Sequence, residues 1–195
     1  MPNPLREGMR LPKIPQPCSI VIFGATGDLT HRKLIPALYN LERQGLLPVH
    51  WDIIGFARRE KSDAEFVADL KEAVQRFSPL TPDAATWQRF SDRIHYHRGD
   101  FNDPDAYQRL QATLGSLARQ RGTTANHLFY LSTPPSQYEA IIQHLGQAGL
   151  AHSEEGWTRI IVEKPFGRDL DSARSLNDMI SAVFRRGGDV SFVVE

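Results

Sequence analysis

The sequence predicts a doubly wound α/β domain, a parallel sheet with helices on both faces. Three observations point there: short apolar runs recur along the chain, stretches of helical spacing separate them, and a small-residue turn closes the first run. A parallel partner strand is reached only through a crossover, nearly always right-handed, so strands that alternate with helices imply a parallel sheet. Runs such as SIVIF and RIIV lack polar alternation, which fits strands covered on both sides.

Taken in order, residues 1–17 are proline-rich and aperiodic, and proline's missing amide donor keeps such a segment out of a ladder or a helix interior; they read as a tail. From Cys18 the pattern changes. CSIVIFG, WDIIGFA, RIHYHRG, NHLFYLS and TRIIVEK are too short for helices and rich in β-branched or aromatic residues, and they are the five expected strands. Helical stripes follow a 3.6-residue period: Leu34, Leu38 and Leu41; Phe66, Leu70, Val74 and Phe77; Tyr107, Leu110, Leu114 and Leu117; Tyr138, Ile141, Ile142 and Leu145, ending at Gly149. A fifth helix is expected from about Leu170 to Phe184. Pro36 falls inside the first helix and predicts a kink or an early break there. The domain is expected to span 18–186, with an atypical end at 187–195 in which DVSFVV has the character of a strand by itself.

The bulk numbers exclude more than they assign. A chain of 195 residues with 41% hydrophobic content can bury a sizeable core. Lys+Arg and Asp+Glu both count 23, so bulk charge draws the chain to neither nucleic acid nor an anionic membrane. The single cysteine, Cys18, has no internal disulfide partner, and no apolar run resembles a leader or a membrane span, which makes a reducing cytoplasm the expected compartment.

The first strand runs into Gly24-Ala25-Thr26-Gly27-Asp28-Leu29 and then into a helix. At such a turn the unpaired amides of the helix start point outward, the positive dipole end favours phosphate, and glycine permits both φ > 0 and close approach. The spacing departs from G-x-G-x-x-G, since Thr26 and Leu29 stand at the second and third glycine positions. Asp28 suits either a first-turn acid bonding helix amides or a place beside the pyrophosphate. His31, Arg32 and Lys33 are expected at the surface.

At the end of the second strand, where an NAD-binding fold commonly places an acid for the ribose 2′-hydroxyl, stand Arg58 and Arg59. Guanidinium groups match a 2′-phosphate with planar, charge-assisted bonds, so NADP is favoured over NAD, with Arg58 the better placed of the two. The LST-Pro134-Pro135 and VEK-Pro165 turns belong on the same rim, because ligands of open α/β sheets gather at the carboxyl ends of the strands. Tyr138 lines either the nicotinamide side or the core. Lys164, held between an apolar strand and Pro165, either meets a substrate phosphate or hydroxyl or pairs with Glu163. His95 and His97 alternate on a strand without a third ligand at a zinc-like spacing, so no metal is expected.

Read together, VIFGATGDLTHRKLIPALYNL, IIGFARR, HLFYLSTPPSQYEAI and RIIVEKPFGRDLDSARSLN resemble the glucose-6-phosphate dehydrogenase family, from about residue 18 to about residue 185 and in the family's order. The resemblance implies a Rossmann-type NADP-binding domain followed in full-length members by a second α+β catalytic domain. It implies that Gly24, Thr26, Gly27, Asp28 and Leu29 carry the cofactor phosphates, that Arg58 takes the 2′-phosphate, that Tyr138 lies near the cofactor, and that Lys164 touches both cofactor and sugar phosphate. The implied reaction oxidises glucose 6-phosphate to 6-phosphogluconolactone with NADP, the entry to the oxidative pentose phosphate pathway. The family's RIDHYLGK segment and base histidine do not occur before Glu195. No catalytic residue is therefore expected within these residues, and the chain reads as a coenzyme-binding part, inactive alone. The alternative is a non-catalytic NADP-binding or assembly module. Full-length members of the family are implied to be homo-oligomers.

Overall fold

A computed structural model describes residues 14–79, 81–121, 125–163, 169–184 and, through their backbone, 189–192. Strands β1 (Cys18–Phe23), β2 (Trp51–Ala57), β3 (Ile94–Arg98), β4 (His127–Leu131), β5 (Thr158–Val162) and β6 (Asp189–Phe192) form a parallel sheet in the order β3-β2-β1-β4-β5-β6. The order reverses between β1 and β4, so the exits of these two strands diverge to opposite sides and leave a crevice at their carboxyl ends. The five expected strands are all present. The sixth lies in the segment expected to be atypical, where DVSF pairs with β5.

Helices α1 (Ile35–Arg43), α2 (Asp63–Phe77), α4 (Pro104–Arg121), α5 (Tyr138–Gln147) and α6 (Leu170–Phe184) fill the expected intervals. One further helix, α3 (Ala84–Ser91), precedes β3; Asp83 caps it by accepting from the Thr86 amide at 2.8 Å. Helix α2 begins with a capping box between Ser62 and Glu65.

Alternate residues of the strands feed two apolar layers. Val21, Phe23, Ile54, Phe56, Phe129, Leu131, Ile160 and Val162 pack against α4, α5 and α6. Ile20, Ile22, Ile53, Ala57 and Ile94 pack against α1, α2 and α3. The central strands β1 and β2 are buried almost throughout, which is why their sequences show no polar alternation. RIIV reads the same way in sequence yet alternates in burial, with Ile160 and Val162 buried and Arg159 and Ile161 half-buried. The second layer gathers over β1, β2 and β3, and Leu128 and Tyr130 of β4 lie only partly buried at its margin.

The expected disturbance at Pro36 takes a definite form. Thr30–Leu34 makes one π-helical turn, closed by the Ile35 amide donating to the Thr30 carbonyl, and α1 resumes with Pro36 in its first turn. Pro36 has no amide to give, so a wider turn before it costs the helix little.

Candidate functional site

The turn after β1 is built around one backbone position. Gly24 has φ +82°, and a Cβ there would lie 2.2 Å from the Ser132 carbonyl oxygen at the exit of β4. Glycine is required twice over, for the left-handed conformation and for the approach of two strand exits. The Gly24 amide donates to the Phe56 carbonyl at 3.0 Å, and the Gly27 amide donates back to the Gly24 carbonyl at 2.8 Å. Thr30, fully buried, sends its hydroxyl to the Gly24 carbonyl at 3.3 Å and lies 3.2 Å from the Ser132 hydroxyl. A single turn is thereby tied to β2, to β4 and to its own helix.

The first α-type bond of that helix runs from the His31 amide to the Gly27 carbonyl, at 3.3 Å. The amides of Asp28, Leu29 and Thr30 precede it and have no carbonyl one turn behind them within the helix, the arrangement that makes a helix start receptive to anions. A Cβ on Gly27 would sit 3.0 Å from the Gly24 oxygen of the same turn. The two glycines thus let the turn fold tightly on its own backbone, and the amides of Asp28, Leu29 and Thr30 form a cradle whose donors suit a pyrophosphate. Thr26, Gly27 and Leu29 are half-buried and Asp28 is exposed. The Asp28 carboxylate meets Arg32 one turn on, at 3.4 Å, so its negative charge beside the cradle is partly offset. Arg32 and Lys33 lie at the surface, whereas His31 folds back so that its Nδ1 lies 2.8 Å from the Gly27 carbonyl.

At the exit of β2, Arg58 extends into solvent, its side chain 73% exposed and its Nη1 4.0 Å from Asp100. The Tyr96 hydroxyl of β3 donates to the Arg59 carbonyl at 2.6 Å, and Arg98 pairs with Glu60 at 3.3 Å. The arginine corner is therefore lined from the β3 side by Tyr96, Arg98 and Asp100, none of which was among the sequence candidates.

Beyond β4, Tyr138 is 3% exposed and belongs to the apolar layer under α5; its hydroxyl donates to the Glu163 carbonyl at 3.4 Å. Burial, and then the Glu163 charge, push its phenol above the ordinary value. The Tyr130 hydroxyl donates to the Glu163 carboxylate at 2.5 Å, which joins the exits of β4 and β5. Glu163 is thus engaged through both its carboxylate and its carbonyl, directly before Lys164. Lys164 and Pro165 themselves lie outside the described residues.

Three histidines stand on the strands. His97 is buried, its Nε2 2.8 Å from the Ala106 carbonyl, and His127 is buried at the start of β4; burial lowers both, His127 to about 4. His95 Nε2 lies 3.2 Å from Asp52, which also accepts from Arg121 at 3.1 Å. Among the described residues no group of three or more such side chains is arranged to hold a metal ion. Burial pushes the Cys18 thiol up to about 11 against the pull of Arg159. No helix of the described residues is long and apolar enough to cross a membrane.

Cavities do occur at the opposite, amino end of the strands. One of about 380 Å³ is lined by residues that include Glu42, Trp51, Arg89 and Arg93, and one of about 300 Å³ by residues that include His127 and His152. In the first, Arg89 pairs with Glu42 at 3.7 Å and Arg93 donates to the Trp51 carbonyl at 3.4 Å. Volume is present there, while the convergent donors lie on the carboxyl rim.

Comparison with known proteins identifies the family. Residues 21–187 match the family model described as glucose-6-phosphate dehydrogenase, NAD binding domain. A glucose-6-phosphate 1-dehydrogenase of Chlamydia pneumoniae is 45% identical over 188 residues, covering 93% of this chain and 37% of the relative. Glucose-6-phosphate 1-dehydrogenase 2 of Mycobacterium bovis is 43% identical over 185 residues, covering 93% and 36%. A solved glucose-6-phosphate dehydrogenase in complex with its substrate glucose-6-phosphate superposes with a TM-score of 0.80 at 32% identity, over 93% of this chain and 37% of that one. The glucose-6-phosphate 1-dehydrogenase of Mycobacterium avium superposes with a TM-score of 0.77 at 33% identity, over 92% and 36%. The chain spans a little over a third of the length of the curated relatives it matches. It belongs to the glucose-6-phosphate dehydrogenase family, and residues 21–187 are that family's nicotinamide-coenzyme-binding domain.

Proposed function

We propose that this chain is the NADP-binding part of a glucose-6-phosphate dehydrogenase. The observation that carries the reading is the glycine cradle after β1 with an arginine, not an acid, at the exit of β2. In this reading the amides after Gly27 and the side chain of Thr26 hold the pyrophosphate, with Gly24 and Gly27 admitting it. Asp28 and Leu29 flank it, and Arg58 takes the 2′-phosphate with charge-assisted bonds.

Bound NADP would supply the hydride acceptor for oxidation at C1 of glucose 6-phosphate, yielding 6-phosphogluconolactone and NADPH. The part of this chain is to bind and orient. Tyr138 braces the start of α5 and the Glu163 carbonyl, and Tyr130 holds the Glu163 carboxylate, so the exits of β4 and β5 stay together where Lys164 follows. Lys164 is read as the cation shared by cofactor and sugar phosphate, and a structural relative is described in complex with glucose-6-phosphate. Domain bounds of 18–186 and a cytoplasmic location complete the reading.

Titration calorimetry of the 195-residue chain tests it. NADP is expected to bind at least about tenfold more tightly than NAD, the scale of one charge-assisted phosphate contact. A chain that binds neither coenzyme, or that prefers NAD, refutes the reading.

A further inference from the structure

The Arg58 corner contains a carboxylate that phosphate binding does not call for. The exit of β3 is pinned beside the exit of β2: the Gly99 amide donates to the Ala57 carbonyl at 3.0 Å. A Cβ on Gly99 would lie 2.6 Å from the Phe56 ring and 2.7 Å from the Ala106 methyl, so the chain passes where only glycine fits. Asp100 follows at once and faces Arg58, Oδ2 to Nη1 4.0 Å. Its other oxygen, Oδ1, accepts from the Asn102 amide at 2.9 Å and from the Asn102 side chain at 3.2 Å. The carboxylate is therefore anchored, while the long, 73% exposed arginine is the movable partner.

We propose that Asp100 is a coenzyme-selectivity residue, which partly offsets the Arg58 charge and repels the 2′-phosphate when it arrives. The proposal rests on the reading of Arg58 given above. A 2′-phosphate carries nearly two negative charges at neutral pH, and on reaching the guanidinium it stands close to the Asp100 carboxylate. NAD presents a hydroxyl there, leaves the Arg58–Asp100 pair intact and meets no repulsion. Asp100 therefore lowers the preference for NADP without altering the cradle both coenzymes share. The pair is solvent-exposed, which keeps the effect modest and makes it sensitive to salt.

The test is calorimetric titration of NADP and of NAD into the full chain, unsubstituted and as Asp100→Asn and Arg58→Ala. Asparagine keeps an acceptor for the Asn102 amide, and the ratio of the two dissociation constants cancels any common loss of folded protein. In Asp100→Asn the NADP constant is expected to fall about threefold to tenfold and the NAD constant to stay within about twofold, with the difference shrinking at ~0.5 M salt. Arg58→Ala is expected to weaken NADP alone. An unchanged ratio in Asp100→Asn alongside a lowered NADP affinity in Arg58→Ala overturns the role of Asp100 and leaves Arg58 standing. An unchanged ratio in Arg58→Ala, or no binding by the unsubstituted chain, overturns both.

Discussion

Replacing Gly24 with alanine separates two demands that the structure makes at one atom. The backbone there has φ +82°, a conformation that costs a non-glycine residue about 1 kcal/mol. The new methyl would also stand 2.2 Å from the Ser132 carbonyl oxygen, more than an ångström inside ordinary contact. Because that oxygen is backbone, relief requires the exit of β4 to move away from the turn. The move strains two bonds, Ser132 amide to Phe23 carbonyl at 3.0 Å and Thr30 hydroxyl to Ser132 hydroxyl at 3.2 Å, each worth about 1 kcal/mol. The sum is about 3 kcal/mol, or a fall in Tm of about 10 °C for a domain of this size. Gly45→Ala is the control: its φ is +64°, but a Cβ there meets nothing within 4 Å, so it bears only the conformational cost of about 1 kcal/mol and about 3 °C. Thermal unfolding followed by circular dichroism reads both. Equal melting points for the two variants would refute the close approach as the reason for glycine at position 24.

Two further outcomes follow from buried charge. Asp52 is 3% exposed; burial raises its carboxyl, but the bonds from His95 and Arg121 outweigh that and hold it below the usual range. Asp52→Ala strands a partly buried arginine and is expected to cost about 2–3 kcal/mol in urea unfolding, a loss under ~0.5 kcal/mol arguing that the cluster is solvated. His127 is depressed to about 4 by burial, so below ~6.5 the unfolded chain takes up a proton that the folded chain refuses, and stability must fall with pH through that window. Between pH ~7 and ~5 the expected loss from this residue is ~2 kcal/mol, and His127→Gln should flatten the slope by that amount; an unchanged slope would count against a buried, neutral imidazole.

The fold was legible because its two periods are strong. The five runs from CSIVIFG to TRIIVEK became β1 to β5, and the stripe Tyr107, Leu110, Leu114 and Leu117 is buried along α4. What escaped has little local signal. Helix α3 has eight residues and buries only Thr86, Trp87 and Phe90, so its period scarcely completes two turns. The strand character of DVSFVV was visible, but not its place in the sheet, because pairing with β5 depends on a partner some thirty positions away. On α1 the expected stripe holds in part: Leu34 and Leu38 pack half-buried against the core, Ile35 and Tyr39 are fully buried beside them, and Leu41 is exposed.

The site was legible to a different depth. Glycine at a strand exit and arginine where an acid is common are visible in a single line of sequence, since each residue type is demanded by its own backbone or its own charge. The residues that hold them are not visible in this way, because they come from other strands: Ser132 lies 102 positions from Thr30, and Asp100 belongs to the exit of β3. Parallel register is what brings them together. Phe23 stands opposite Leu131 and Ala57 opposite Arg98, so the residues that follow, Gly24 with Ser132 and Arg58 with Gly99 and Asp100, meet just past the ends of their ladders. In a parallel sheet every strand exits on the same side, so the carboxyl rim is assembled from the residues directly after each apolar run. Aligning the run ends is then enough to nominate Ser132 beside Gly24 and Asp100 beside Arg58. Only the distances separate the two: 2.2 Å at the first approach enforces glycine, and 4.0 Å at the second leaves a solvent-exposed ion pair.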